Sequence, residues 1–323
     1  MTEINQKQQK ILLIYIKNGV LSSSQIHGLL TENGENLSLV TVKRELSQMA
    51  SSGLLTVSGK GRSSAYAISA FGRIFANVDA SDYCSREPDK RCGLAHFNFD
   101  LLPALPSEIF IPDEISALEN ATAEYRRRTT DLPLAIKKKE LERLIIELSW
   151  KSSKIEGNTY TLLDTEKLIL ENIEASGHDK KEAVMILNHK DAFTFVHENS
   201  KQFRTLTNVN LEQLHGILVK NLSVGLGLRN KPVGVIGSKY QPLDNIYQIK
   251  EAVDLLAKVV ARITNPCAKA LVALSGLSYI QPFEDGNKRT ARLMANALLL
   301  AYDCAPLSYR SIDEKEYREA MLV

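Results

Sequence analysis

The chain has 323 residues, 44% of them hydrophobic and 24% charged, with a formal net charge of +2. That length supports a large domain plus a smaller one with a substantial core, and the near-neutral charge excludes a general pull towards nucleic acid, so any such binding is local. The four cysteines, Cys84, Cys92, Cys267 and Cys304, form no CxxC pair and stand beside no histidine cluster. This argues against zinc and for reduced thiols in a cytosol. The opening "MTEINQKQQKILLIYIKNG" lacks a signal-peptide layout, and no later apolar run is long enough to span a membrane, so a cytoplasmic protein with no membrane partner is expected. The closing "DEKEYREAMLV" stops inside an amphipathic helical pattern, as expected of a shortened form of a longer protein.

Residues 1–70 carry a compact pattern of three helices and two short strands. "QQKILLIYIKNG" has helical apolar spacing at Ile11, Leu12, Ile14, Tyr15 and Ile16 and stops at Gly19. The serines of "LSSSQIHGLL" suit the cap of a second helix. "SLVTVKRELSQMASSG" gives a third, with Val40, Val42, Leu46 and Met49 available for its inner side. "LLTVSG" and "AYAIS" follow as strands joined by the basic turn "KGRSS". Three helices and a hairpin resemble a winged helix-turn-helix. In that reading the third helix presents Thr41, Lys43 and Arg44 to the major groove of DNA, and Lys60 and Arg62 on the wing meet phosphate. A small docking or dimerisation domain is the competing reading, and a homodimer stays open.

Residues 71–109 have little periodicity and read as a connector. From about residue 110 to 323 the pattern is helical almost throughout, without internal repetition, which predicts a mainly α bundle. The exception is "KPVGVIGSKYQPL", whose alternation and glycines predict a short projecting β-hairpin.

The most informative stretch is "QPFEDGNKRTAR", between two predicted helices. Gly286 lets backbone amides approach an anion, and the amides of Asn287 and Lys288 open a helix whose N-terminus favours negative charge. Arg289 and Arg292 are three apart, on neighbouring positions able to clamp phosphate oxygens. Asp285 offers a hard oxygen suited to Mg2+ between phosphates, and Phe283 anchors the loop inward.

This run resembles the Fic-domain signature, His-x-Phe-x-Asp/Glu-Gly-Asn-Gly/Lys-Arg-x-x-Arg, at every defining position but the first. The resemblance covers roughly residues 110–323 and implies a helical fold that transfers AMP from ATP, with Mg2+, to a Ser, Thr or Tyr hydroxyl of a target protein. It implies Asp285 as metal ligand, Gly286, Asn287 and Lys288 as an anion nest, and Arg289 and Arg292 as phosphate clamps. "SSKIEGN" is similar to the family's inhibitory-helix motif, with Ser152 first, Glu156 as the glutamate and Gly157 after it, on a helix of about residues 140–157. A carboxylate there pairs with Arg292 and takes the place of a γ-phosphate; the plainer alternative is a helix C-cap turning at Gly157. The family's flap, which aligns a target segment by strand addition, corresponds to Val233, Gly234, Val235, Ile236, Gly237, Ser238 and Tyr240. His215 lies on an apolar helical face and reads as a hydrogen-bonded core histidine.

Gln281 stands at the signature's histidine position. An amide is neither acid nor base near neutral pH, so the general-base contribution of ~10²–10⁴ is lost while the phosphate grip survives. The expectation is ATP binding with weak or absent AMP transfer. Two other functions compete: a nucleotide-responsive DNA-binding regulator, and a self-restrained toxin-like factor differing only in its target.

Overall fold

Polar caps and apolar periods set the elements of the N-terminal unit. The computed structural model describes residues 4–323, apart from the side chain of Arg62. Contacts divide the chain into a first unit of the residues up to Pro106 with Gly237–Tyr240 and Val323, and a second of Ser107–Ile236 with Gln241–Leu322. Helix α1 (Gln6–Asn18) starts at Asn5, which exchanges hydrogen bonds with Gln8 in a capping box. Strand β1 (Leu21–Ser22) leads into α2 (Ser23–Glu32), capped by Ser22, and α3 (Leu39–Ser51), capped by Ser38. Val42, Leu46 and Met49 fall on one face of α3 and are fully buried with Ile11, Leu12, Tyr15 and Ile26. Val40, expected on that inner face, lies about half a turn out of phase and is 77% exposed.

Strands β2 (Leu55–Ser58) and β3 (Ala65–Ile68) pair antiparallel, with Val57 opposite Tyr66, and β1 adds to the other side of β3 in the order β1-β3-β2. Helix α4 (Ala70–Ile74) is tied back to α1, because Gln9 donates to the Phe75 carbonyl at 2.9 Å and accepts from the Asn77 amide at 2.8 Å. The expected connector therefore begins with a segment held in the first unit. Two short helices follow, α5 (Ala80–Ser85) and α6 (Leu101–Ala104).

The second unit is helical: α7 (Pro112–Thr130), α8 (Leu134–Ile155), α9 (Leu162–Glu171), α10 (Lys180–Glu198), α11 (Asn208–Leu218), α12 (Ile246–Arg262), α13 (Pro266–Ile280), α14 (Asn287–Ala301) and α15 (Glu314–Ala320). Its centre is the pair α13 and α14, packed on each other and buried on most sides, so the six-residue loop joining them is fixed by the core at both ends. Around them α12 turns Ile249, Val253, Leu256 and Val260 inward at helical spacing.

The segment 233–240, expected as a hairpin, forms no strand ladder; it runs irregularly through a turn at Ile236–Gly237, with Ile236 94% exposed. Alternating valines supply strand propensity but not the neighbouring strand that must satisfy the backbone, and Pro232 removes one donor. Ser238 accepts from the Tyr240 amide at 3.1 Å, while Arg91 donates to the Gly237 carbonyl and Lys239 to the Arg91 carbonyl.

Candidate active site

Where α13 ends, Gln281 adopts the left-handed conformation (φ 52°, ψ 61°) and its amide donates to the Leu277 carbonyl at 3.0 Å. The side-chain amide of Gln281 folds back and donates to the Ser278 carbonyl at 2.6 Å. Buried Arg229 braces this corner: its Nε donates to the Gln281 carbonyl at 2.7 Å and its own amide to the Pro282 carbonyl at 3.0 Å. A lone arginine in a loop carries no periodic signal, and the sequence reading missed it.

Phe283 is the loop's anchor, fully buried and stacked on His215 with centroids 3.7 Å apart and planes 5° from parallel. His215 Nε2 donates to the Asp285 carbonyl at 3.0 Å, which fixes the neutral tautomer with its proton on Nε2, since a carbonyl only accepts. Burial lowers the His215 pKa, outweighing the Asp285 carbonyl that favours the charged form. It is a structural histidine, as expected, and no substitute for a base at position 281. Asn287 completes the frame by accepting from the Phe283 amide at 2.8 Å and donating to the Phe283 carbonyl at 2.7 Å.

Gly286, at φ 77°, makes the turn into α14, and a β-carbon there would stand 3.2 Å from Val219 and 3.7 Å from the His215 ring. Both conformation and space favour glycine. The Gly286 amide is occupied by the Asp285 carboxylate at 2.6 Å, but no side chain caps the first turn of α14, so the helix end keeps its anion-attracting amides. Lys288 is half-buried on that turn.

Arg289 and Arg292 are 3% and 1% exposed. Burial lowers the pKa of Arg289, and the closest carboxylate to it is Asp285 at 3.8 Å. Arg292 is engaged on every side. Its Nε donates to Ser152 Oγ at 3.0 Å, a terminal nitrogen donates to the Ser152 carbonyl at 2.9 Å, and the other lies 2.7 Å from Glu156 Oε1. That last contact is an ion pair without the alignment of a hydrogen bond. Burial alone would lower the Arg292 pKa; the Glu156 charge and the Tyr317 hydroxyl outweigh it and hold the pKa above its ordinary value.

Glu156 reaches Arg292 because α8 ends there. Glu156 is its C-cap, and Gly157 at φ 97° turns the chain away. The C-cap and the ion pair, weighed as alternatives from sequence, coexist. Behind the arginines, His189 is 1% exposed and has its pKa pushed down to about 3 by burial and by the charges of Arg292 and Arg289. A neutral imidazole therefore sits beside two guanidinium groups.

Among the described residues no three His, Cys, Asp or Glu side chains group as a metal site. Mg2+ does not require one, since it keeps waters and substrate phosphates and takes one or two carboxylates. Asp285, with a 70% exposed side chain at the loop's mouth, fits that demand. In the first unit Lys43, Arg44 and Lys60 are exposed, but Thr41 is half-buried and shares its hydroxyl with Ser38 Oγ at 2.9 Å as part of the α3 cap. The side chain of Arg62 lies outside the described residues. No helix among the described residues is long and apolar enough to cross a membrane.

The second unit is a helical bundle that presents a glycine loop and two buried arginines at one helix start. Residues 205–299, within the second unit, match the Fic/DOC family. Curated relatives include protein adenylyltransferase Fic of Nematostella vectensis, 27% identical over 56% of this chain and 44% of that protein, and protein adenylyltransferase fic-1 of Caenorhabditis elegans, 25% identical over 52% and 34%. The chain thus spans less than half the length of these relatives. Among solved structures, a Fic-domain-containing signaling protein of Bacteroides thetaiotaomicron superposes with a TM-score of 0.54 at 22% identity, covering 64% of this chain and 80% of that one. Fic-1 of C. elegans gives 0.52 at 18%, covering 65% and 64%. These likenesses establish the fold.

Proposed function

We propose that the second unit binds ATP as a protein adenylyltransferase domain that is held inactive by Glu156 and is short of a catalytic base at Gln281. The observation that carries this reading is the engagement of Arg292 by Ser152 and by Glu156 at 2.7 Å. A phosphate oxygen seeks the same guanidinium edge, so carboxylate and terminal phosphate compete for one site. In the reaction, a target hydroxyl oxygen bonds to the α-phosphorus, the bond to pyrophosphate breaks, and the hydroxyl proton must leave. Arg289, Arg292 and the first-turn amides of α14 hold the phosphates, and Gln281 orients the hydroxyl but cannot take its proton. Asp285 would hold Mg2+, which would supply charge neutralisation to the bound phosphates. The segment 233–240, with Ile236 exposed, is where the target segment would dock.

Calorimetry of the Glu156→Gly variant with ATP and Mg2+ tests the first part, and labelling of protein from α-labelled ATP by the Gln281→His/Glu156→Gly double variant tests the second. Heat from the first and label from the second are expected. Brisk labelling of a target by the unaltered chain would refute the missing base.

A second reading concerns the first unit. Its three helices, antiparallel hairpin and exposed Lys43, Arg44 and Lys60 favour a winged helix-turn-helix that binds DNA. Joined to a nucleotide site, it makes a regulator whose DNA affinity responds to ATP. Promoter binding titrated with ATP at two salt concentrations separates this from an enzyme alone; DNA affinity indifferent to nucleotide removes the coupling.

A further inference from the structure

The contact between Glu156 and Arg292 depends on where the last turns of α8 lie, and the chain returns after α14 to meet those turns. Buried Asn296 on α14 starts the return: its side chain donates to the Leu307 carbonyl at 3.0 Å and accepts from the Leu307 amide at 2.7 Å. Tyr309, 5% exposed and in the left-handed conformation at φ 56°, is a bulky residue held where only strong packing keeps one. From there Arg310 meets Glu147 of α8 at 2.9 Å. Asp313 caps α15 by accepting from the amides of Lys315 and Glu316. Glu314, first in that helix, lies 2.5 Å from the Nζ of Lys151 and 3.8 Å from that of Lys154. The Tyr317 ring ends the run 5.8 Å from the Arg292 guanidinium carbon, edge-on to Tyr309 at 6.0 Å.

Lys151 makes this arrangement more than incidental surface pairing. Its side chain is 6% exposed although it sits one residue before Ser152, on the turn that grips Arg292. A buried ammonium needs its partner, so losing Glu314 frees the turn to rotate Lys151 towards water. Such rotation carries Ser152 and Glu156 off Arg292.

We infer that residues 307–317 form a clasp on the inhibitory helix, with Lys151 and Glu314 as positioning residues that set how firmly Glu156 occupies Arg292. The inference rests on the autoinhibition reading above, but the clasp itself is a property of the fold and has its own readout. In the 323-residue chain, Glu314→Ala is expected to speed hydrogen exchange at the amides of residues 150–156. It is also expected to raise ATP affinity about three- to tenfold, less than Glu156→Gly does. In the Glu156→Gly background, Glu314→Ala is expected to add nothing, because the blocking carboxylate is already gone. If Glu314→Ala folds poorly, the charge exchange Lys151→Glu with Glu314→Lys replaces it and is expected to restore slow exchange.

Unchanged exchange at residues 150–156 in Glu314→Ala, or fast exchange there in the charge-swapped chain, overturns the clasp. So does an equal gain in ATP affinity with and without Glu156. Failure of Glu156→Gly itself to bind ATP defeats the autoinhibition reading instead, and exchange at those amides then judges the clasp alone.

Discussion

Lys43 and Arg44 lie exposed on α3 of the first unit, whereas Arg289 and Arg292 are sealed at the start of α14 in the second. Exposed cations keep their hydration and act through a field that salt screens, so they attract any polyanion weakly. The sealed pair surrendered water on folding and stays charged because Asp285, Glu156 and fixed dipoles answer it. On the readings proposed above, the first site should be salt-sensitive and tolerant of shape, the second selective for a small anion able to displace a carboxylate.

The sharpest break of this comparison is chemical. With Glu156→Gly in place, Gln281→His should raise AMP transfer by ~10²–10⁴, read as labelled protein, because a base enters a preorganised phosphate site. Histidine also tolerates the left-handed backbone that Gln281 adopts. Next in size, Arg292→Ala in the Glu156→Gly background should weaken ATP binding by roughly ten- to a hundredfold, as expected for a lost charged hydrogen-bond donor.

Acid should also separate the units. His189, with its pKa pushed down to about 3, stays neutral in the fold while an unfolded histidine takes a proton near pH 6.5. The unfolded state then binds more protons between those values, so stability is full above about pH 6.5 and falls as pH drops, by up to about 1.4 kcal/mol per unit. Denaturant melts of the whole chain against pH should show the second unit losing stability over this window, with a shallower slope in His189→Gln. The smallest effect belongs to the first unit: on the DNA-binding reading proposed above, Lys60→Ala with Arg62→Ala should lower the salt dependence of DNA binding by about two phosphate contacts.

Much of this division was legible in the sequence. The serine cap at Ser22, the apolar periods and the run from Gln281 to Arg292 are local patterns that chain geometry alone turns into helices and a loop. The motif at Ser152 and Glu156 also suggested its partner, although Ser152 and Arg292 stand 140 positions apart. Features that depend on a distant neighbour were less visible. Nothing in the local sequence of Arg229, Tyr317 or Lys151 signals that the first braces Gln281, the second lies beside Arg292 and the third is buried against Glu314. The alternation at 233–240 pointed to a hairpin, but pairing requires a second strand that this segment does not have. The bond between the Thr41 hydroxyl and Ser38 was likewise not visible in the sequence.

The account turns on whether Glu156 occupies the place of a phosphate. Calorimetric titration of ATP with Mg2+ into the unaltered chain and the Glu156→Gly variant, under one buffer, tests it most directly. An affinity at least about tenfold higher in the variant is predicted, from the release of one charged contact on Arg292. Equal affinities in the two proteins, or no heat from either, would contradict it.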